Sequence, residues 1–345
     1  MGWSSPPRSV AALDDVPATA TPPAALKNSA GMASRFHRLE VLGAGTFGVV
    51  YRARDRRTGE IVAMKCLRAS SSLQDRAFAR EVAALETCSG HPSIVQPLAS
   101  GLLLSGGTTE SPFLAMEFVG PTLSHVMKRD RFRRRHTELE VRLMMRQLLA
   151  GVRRMNRLGL MHRDLKPENV LVDARGNLKI CDLGLSCSMS DGPPYSNPVG
   201  TRGYRAPEII LGSTDYDERV DSWALGVMMA ELLAGKHPFR GSSDAEHLSE
   251  ILGLLGTADI KEWSGYDGRR LPGGCQPGSF LRNKFPCPAE DKMRGPAALS
   301  EAGFEVLSGL LRCNPEKRLT AGRALQHRWF KDAKTLPRRQ QGASC

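Results

Sequence analysis

An eight-residue segment, His162-Arg163-Asp164-Leu165-Lys166-Pro167-Glu168-Asn169, sets the strictest limit on how this chain can fold. Asp164 can accept a proton from a hydroxyl group, Lys166 can neutralise charge on a phosphoryl group in transit, and Asn169 can bind a metal ion. A further acidic residue, Asp182, follows in a later loop. Because Mg²⁺ prefers such oxygen ligands together with phosphate oxygens, the fold must bring the two loops together around a phosphate group.

The first part of the chain has the hydrophobic periodicity of β-strands. Val49, Tyr51 and Ala53 alternate with their neighbours, and the turn Arg56-Arg57-Thr58-Gly59 separates them from a second apolar run at residues 61–64. Apolar residues at 78, 82 and 85 then have helical spacing, and Pro92 ends that segment. With another strand predicted at residues 113–118, this part should form a small sheet with one helix.

Helical spacing dominates from residue 138 onward. The pattern predicts a long amphipathic helix there and further helices at 221–234, 244–255 and 301–312. A short hairpin with the turn Gly176-Asn177 interrupts them. We therefore expect an α+β fold with a small N-terminal β-rich lobe (36–118), a larger helical C-terminal lobe (120–330) and a ligand cleft between them.

A glycine-rich loop, Gly43-Ala44-Gly45-Thr46-Phe47-Gly48-Val49-Val50, joins the first two predicted strands. Glycine lets backbone N–H groups approach phosphate oxygens closely. A dinucleotide-binding loop would lead into a helix, whereas a strand follows here. Taken alone, the segment is equally compatible with a plain hairpin.

Lys65 lies among small apolar residues of the next strand and therefore needs an anionic partner. Glu81, on the following predicted helix, can supply one, and the pair could hold the ammonium group over the α- and β-phosphates of a nucleotide. The alternative is a surface lysine with an unrelated glutamate.

With Asp182-Leu183-Gly184 and Ala206-Pro207-Glu208 in the same order, the chain resembles the eukaryotic protein kinases over residues 36–330. The resemblance implies a bilobal protein kinase fold, ATP and Mg²⁺ as cofactors, and serine/threonine specificity, since tyrosine kinases usually lack a lysine at the place of Lys166. The implied catalytic residues are Asp164, Lys166, Lys65 and Glu81, and the implied metal ligands are Asn169 and Asp182.

The resemblance also implies a nucleotide site. Side chains around the adenine should be Leu42, Val50, Ala63, Met116 and Leu171, and the backbone of Glu117 and Val119 should bond its edge. The phosphates should lie against Lys65 and the loop residues Gly43, Ala44, Gly45, Thr46, Phe47, Gly48 and Val49.

Tyr204-Arg205-Ala206-Pro207-Glu208 resembles the CMGC branch, and the chain is most similar there to cyclin-dependent kinases such as the plant F type. The match of Arg205 implies a preference for proline after the phosphorylated residue. By the same resemblance, Thr201 contacts the catalytic Asp164, Asp221 braces the catalytic loop, and Arg318 pairs with Glu208. Ala77-Phe78-Ala79 differs from the cyclin-contacting sequence of that branch, so cyclin dependence is not implied.

Three positions match regulatory sites: Thr46, Ser196 and Thr201. Phe47 replaces the tyrosine of a second inhibitory site and has no hydroxyl group. Ser196 matches the activating phosphorylated residue, and a phosphate there would recruit arginine side chains. Arg163 and Arg80 match two of the three usual arginines, while Cys187 stands at the third position. The alternative is an ordinary loop serine.

Composition narrows the remaining possibilities. The net charge is +12, partly from a basic run at residues 128–135 that we interpret mainly as a solvated surface segment, so nucleic-acid binding is not favoured. No apolar run has membrane-spanning length. Eight scattered cysteines suggest a reducing compartment, the cytoplasm or nucleus.

Residues 1–34 should form a disordered N-terminal tail and residues 331–345 a basic C-terminal tail. The sequence thus predicts an active kinase for protein substrates with Ser-Pro or Thr-Pro sites. The alternative is a catalytically weak pseudokinase that serves as a scaffold.

Overall fold

The computed structural model of the chain describes residues 35–45, 48–67, 72–105, 109–129, 136–287 and 298–331. The predicted N-terminal tail and nearly all of the predicted C-terminal tail lie outside the described residues. So do Thr46 and Phe47 of the glycine-rich loop and positions 130–135 of the basic run.

Five antiparallel strands form the sheet of the N-terminal lobe, in the order β1-β2-β3-β5-β4. The strands are β1 (Phe36–Gly45), β2 (Gly48–Asp55), β3 (Ile61–Cys66), β4 (Pro97–Ser105) and β5 (Thr109–Glu117). Along β3, Val62 and Met64 are buried in a small core beneath the sheet, while Ala63 and Lys65 point to the opposite face. This alternation directs Lys65 away from that core and toward the helical lobe.

Among the described residues of this lobe, one helix accompanies the sheet, as predicted. The helix α1 (Ser72–Thr87) buries Phe78, Val82 and Leu85 in the main core. The predicted strand at 113–118 is part of the longer β5, which begins earlier and ends one residue sooner. The strand β4 was not predicted, because Ser100 and Gly101 interrupt its apolar alternation.

Helices make up most of the second lobe. They are α2 (Leu123–Arg129), α3 (Glu138–Arg157), α4 (Pro207–Ile210), α5 (Arg219–Ala234), α6 (Asp244–Leu255), α7 (Ala258–Lys261), α8 (Leu281–Lys284), α9 (Glu301–Leu310) and α10 (Ala321–Leu325). A capping box fixes the start of α3: Thr137 Oγ1 accepts the N–H of Glu140, whose carboxylate accepts the N–H of Thr137. The helix α5 is buried on nearly all sides and forms the centre of this lobe. The predicted α+β architecture of two lobes is confirmed.

Two short ribbons lie where the lobes meet. One pairs β6 (Leu160–Met161) with β9 (Cys187–Ser188), and the other pairs β7 (Val170–Val172) with β8 (Leu178–Ile180), on either side of the predicted hairpin turn. The segment 162–169 therefore runs from β6 to β7, and Asp182 follows β8 directly. Among the described segments, no helix has both the length and the apolar character needed to cross a bilayer.

Candidate active site

The loop 162–169 is held in place from below by α5. Asp221, which is buried in that helix, accepts the backbone N–H of His162 at 2.7 Å and that of Arg163 at 2.8 Å. These two bonds stabilise the left-handed backbone of Arg163, whose φ is 67°. Asp221 thus braces the loop from which Asp164 projects.

Asp164 lies among donors that fix both of its carboxylate oxygens. Its Oδ1 accepts the backbone N–H of Thr201 at 2.8 Å and the hydroxyl group of Thr201 at 2.6 Å. Its Oδ2 accepts Lys166 Nζ at 2.7 Å and Asn169 Nδ2 at 3.1 Å. This arrangement brings Asp164, Lys166, Asn169 and Thr201, all selected from the sequence, into one cluster.

Lys65 joins the two lobes through two carboxylates. Its Nζ lies 2.6 Å from Glu81 Oε2 on α1 and 3.0 Å from Asp182 Oδ1 after β8. Burial alone would lower the pKa of Lys65, but the charges of Glu81 and Asp182 outweigh that effect and raise it. The lysine is therefore a fixed positive charge beside Asp182.

The backbone conformation and the charge of Asp182 are both fixed by its surroundings. Its backbone is left-handed, with a φ of 60°. Burial acts to raise the pKa of its carboxyl group, but Lys65 outweighs burial and holds that pKa below its ordinary value, so the group is ionised. Leu183, the middle residue of Asp182-Leu183-Gly184, is fully buried in the core.

The donor set fits a magnesium ion bound together with phosphate. Asn169 Nδ2 donates to Asp164, which leaves Asn169 Oδ1 as an acceptor, and Lys65 engages one oxygen of Asp182 and leaves the other. In the described residues, no cluster of three or more His, Cys, Asp or Glu could hold a metal by protein ligands alone. Mg²⁺ characteristically takes one or two protein oxygens plus phosphate oxygens.

The described ends of the glycine-rich loop belong to β1 and β2. Ala44 pairs with Val49 and Gly45 pairs with Gly48, so the described ends of the loop stay in register around Thr46 and Phe47, which lie outside the described residues. At Gly48, whose φ is 146°, a Cβ atom would overlap the carbonyl oxygen of Cys66. At Gly43 and Gly45 a Cβ atom would meet no atom within 4 Å, so open space lies beside the backbone there.

The predicted adenine residues lie on the strands that face this loop. Ala63 pairs with Met116 across β3 and β5, and Val50 pairs with Lys65 across β2 and β3. Leu171 bridges to the backbone of Thr122 after the strand end at Glu117, and Leu42 on β1 is half exposed. These placements suit the predicted pocket, whose role stays a prediction.

The segment after β5 offers backbone groups for the edge of a base. Within the described residues, the backbone N–H and C=O of Val119 form no hydrogen bond. The backbone N–H of Glu117 is already used, because it donates to Gln96 O at 3.0 Å. The predicted contact at Glu117 is thereby limited to its carbonyl oxygen.

Ser196 lies beside the arginine of the catalytic loop. Arg163 Nη1 donates to Ser196 Oγ at 3.0 Å and to the hydroxyl group of Tyr216 at 3.1 Å. Burial and then the charge of Arg163 lower the pKa of Arg80, so Arg80 is close enough to be repelled by it. Cys187 lies within electrostatic range of both arginines. The structure therefore places Ser196 in contact with Arg163, and Arg80 and Cys187 lie within electrostatic range of that arginine.

Sequence reasoning missed the partner of Arg205. Arg205 Nη1 binds both carboxylate oxygens of Asp244, at 3.0 and 3.1 Å, while Nη2 donates to Gly200 O at 2.8 Å and Nε to Val199 O at 3.2 Å. Gly200 has a φ of 78°, and a Cβ atom there would lie 2.5 Å from Arg163 O. The one available signal was an acidic residue in the first turn of the predicted helix at 244–255.

Comparison with known proteins gives a consistent family. The model described as the protein kinase domain matches residues 36–330. The chain is 45% identical over 313 residues to the putative cyclin-dependent kinase F-2 of Oryza sativa subsp. japonica, which covers 88% of this chain and 92% of that protein. It is 42% identical over 305 residues to the cyclin-dependent kinase G-2 of Oryza sativa subsp. indica, covering 86% of this chain and 41% of the relative. It is also 37% identical over 309 residues to the cyclin-dependent kinase G1 of Arabidopsis thaliana, covering 86% and 49%. The chain thus spans nearly all of the first relative and less than half of the two G types.

Proposed function

The chain belongs to the protein kinase family, in its cyclin-dependent-kinase-like branch, and we propose that it transfers the γ-phosphoryl group of ATP to serine or threonine residues that precede proline. The observation that carries the proposal is the position of Lys65, whose Nζ contacts Glu81 and Asp182 at once. That contact joins the nucleotide-facing strand, the helix α1 and the predicted metal ligand in one arrangement.

The side chains of the site suit each part of the reaction. Asp164 Oδ1 and Oδ2 would orient the hydroxyl group of the substrate and accept its proton, and Lys166 lies beside Asp164 to neutralise charge on the phosphoryl group. Lys65 would hold the α- and β-phosphates. Mg²⁺, when bound between Asn169 and Asp182, would neutralise charge on the phosphate oxygens. Because every group is already fixed by hydrogen bonds, little reorganisation is required.

The preference for proline follows from the use of one carbonyl group. Arg205 Nη2 occupies Gly200 O, in the segment that lies against Asp164 through Thr201. A substrate residue placed there cannot donate its backbone N–H to that oxygen. Proline has no N–H to leave unpaired, whereas any other residue would be penalised by roughly 1–3 kcal/mol.

A requirement for a cyclin partner is not part of the proposal. The relatives carry the name cyclin-dependent kinase. In this chain, Ala77 and Phe78 of α1 are buried against the protein itself and unlike the cyclin-contacting sequence of the branch. We propose protein substrates as the primary partners and treat a cyclin requirement as a point that the experiment decides.

The test is phosphorylation of paired peptides by the purified chain with Mg-ATP. We expect Ser-Pro peptides to be phosphorylated at least about tenfold faster than matched Ser-Ala peptides. Asp164→Asn should lower the rate by about 10²–10⁴-fold. Equal rates on both peptides would refute the proline preference.

If the chain alone phosphorylates neither peptide, candidate cyclins are added to the assay. Activity that appears with one of them and is lost in Asp164→Asn would establish a cyclin-dependent enzyme. Continued silence with nucleotide bound would contradict the proposed activity and favour a scaffold.

A further inference from the structure

A cavity of about 410 Å³ lies beside the catalytic loop and is not used by the proposed reaction. Its walls come from α2, from the turn that begins at Pro167, and from the end of α5 with the loop that follows. We call it the lateral cavity. Tyr204 lines both this cavity and the smaller one that contains Asp164 and Thr201, so the two adjoin.

The acidic side chains of the lateral cavity already have partners. Glu168 Oε1 accepts the hydroxyl group of Ser124 at 2.7 Å and lies 3.9 Å from Lys128 Nζ. Glu231 Oε2 accepts the hydroxyl group of Tyr204 at 2.6 Å. Each carboxylate therefore accepts a hydrogen bond from within the wall, and Glu168 also has a cation beside it.

Two of the basic side chains have no partner among the described residues, whereas Lys128 is paired with Glu168. Lys236 and Arg240 both line the cavity and are exposed, and neither side chain forms an ion pair or hydrogen bond with any described residue. A third cation, Lys284, lies behind them, with its Nζ 3.5 Å from Pro238 O. Burial and then the charge of Lys236 lower the pKa of Lys284, and Arg240 acts in the same direction, so Lys284 lies within electrostatic range of both side chains.

One acidic residue outside the cavity contributes to this group. Glu250 acts electrostatically on Lys284, and its carboxylate accepts the backbone N–H groups of Arg240 and Gly241. Around the whole cavity, the four cations Lys128, Lys236, Arg240 and Lys284 exceed the three carboxylates Glu168, Glu231 and Glu250 by one positive charge, and the two cations without a partner in the described part of the chain, Lys236 and Arg240, follow the end of α5.

We propose that the lateral cavity binds an anionic side chain of the protein substrate, a carboxylate or a phosphate group, through Lys236 and Arg240. The inference rests on the proposed function and extends it to substrate selection. The cavity borders the phosphorylation site through Glu168, two residues from Lys166, and through Tyr204. Because an extended peptide advances about 3.3–3.6 Å per residue, the anionic residue lies within a few residues of the phosphorylated one.

The test is binding of labelled Ser-Pro peptides to the full chain, measured by fluorescence anisotropy. In each peptide, one alanine near the serine is replaced by glutamate, phosphoserine or lysine, at successive positions before and after it. We expect one position at which glutamate and phosphoserine tighten binding about two- to tenfold over alanine, the range expected for one or two exposed ion pairs. A larger effect of phosphoserine would identify a primed substrate, and equal effects an acidic one.

The overall charge of +12 would attract any acidic peptide, so the controls separate local from general attraction. The double variant Lys236→Glu, Arg240→Glu should lose the preference at that position and gain one for lysine. Lys261→Glu, an exposed lysine of α7 that lines neither cavity, should keep it.

Three results would overturn the proposal: the same gain at every position, a preference that survives the double variant, or tighter binding of lysine by the unmodified chain. The last would assign the cavity to Glu168 and Glu231 instead. Phosphate transfer to the same peptides is measured separately. Absence of transfer with the charge preference intact would contradict the proposed activity and leave the cavity's role standing.

Discussion

At the scale of single residues, the hydroxyl group of Thr201 links the two catalytic side chains Asp164 and Lys166 by hydrogen bonds. It donates to Asp164 Oδ1 at 2.6 Å and accepts from Lys166 Nζ at 2.7 Å. The segment that carries Gly200, on which the proposed proline preference depends, is thereby connected to both Asp164 and Lys166. A substrate aligned by that segment is aligned with Asp164 as well.

Replacing this hydroxyl group tests the connection. Thr201→Val keeps the shape but loses both bonds, and we expect kcat to fall about 10- to 100-fold, because hydrogen bonds to charged groups contribute about 1.5–3 kcal/mol. Thr201→Ser keeps the hydroxyl group and should stay within about threefold of the unmodified chain. Steady-state kinetics on a Ser-Pro peptide measure both. Equal losses in the two variants would mean that the methyl group, and not the hydrogen bonds, matters.

At the scale of elements, a buried ion pair fastens α4 to the segment that precedes α10. Arg318 Nη1 and Nη2 bind the two carboxylate oxygens of Glu208 at 2.6 and 2.7 Å, and both side chains are essentially inaccessible. Arg318 also donates to the backbone of Arg312 and stacks on Trp223, 5.1 Å from its ring centre. The segment with Gly200, Thr201 and Arg205 leads directly into α4, so this ion pair fixes the helix at which that segment ends.

Removing the arginine should be costly. Arg318→Ala leaves Glu208 as a buried charge without its partner, and we expect the free energy of unfolding to fall by about 3–5 kcal/mol in urea titrations. The matched control is Arg328→Ala, which removes a pair of similar geometry with Glu305, at 2.7 Å, on the surface. That variant should cost less than about 1 kcal/mol. Similar losses for the two variants would contradict the assigned importance of burial.

At the scale of the whole molecule, the sequence predicts well what lies in contiguous segments. Asp164, Lys166 and Asn169 are close in the chain, and the alternation along β3 places Lys65 without any long-range information. The bond between Arg205 and Asp244 spans 39 positions, so no local pattern reveals it. The lateral cavity could not be predicted from the sequence either, because exposed residues such as Lys236 do not follow a hydrophobic periodicity. The strand β4 was not predicted because its extended conformation depends more on pairing with β5 than on its own residue types.

The same scale explains how Ser196 would act. Arg80 belongs to α1, which also carries Glu81, whereas Arg163 belongs to the catalytic loop. A phosphate group of about −1.5 to −2 charges on Ser196 would attract both arginines and relieve their repulsion. It would thereby hold α1 against the helical lobe and keep Glu81 on Lys65. Since Cys187 stands in the third position, the phosphate gains two cations and not three.

Chains produced with phosphoserine at 196, serine or alanine test this coupling, with kcat/KM on a Ser-Pro peptide as the readout. We expect phosphorylation to raise kcat/KM about tenfold, the effect of roughly one charge-assisted hydrogen bond, and Ser196→Ala to equal the unphosphorylated chain. Cys187→Arg should enlarge the gain in the phosphorylated chain by a few-fold, because it supplies the third cation. In the unphosphorylated chain the same substitution adds an uncompensated charge beside Arg80 and Arg163 and should not raise activity. Equal activity of the phosphorylated and alanine chains would show that Ser196 is an ordinary loop serine. If Cys187→Arg raised the activity of the unphosphorylated chain, repulsion between Arg80 and Arg163 would be excluded as the force that the phosphate relieves.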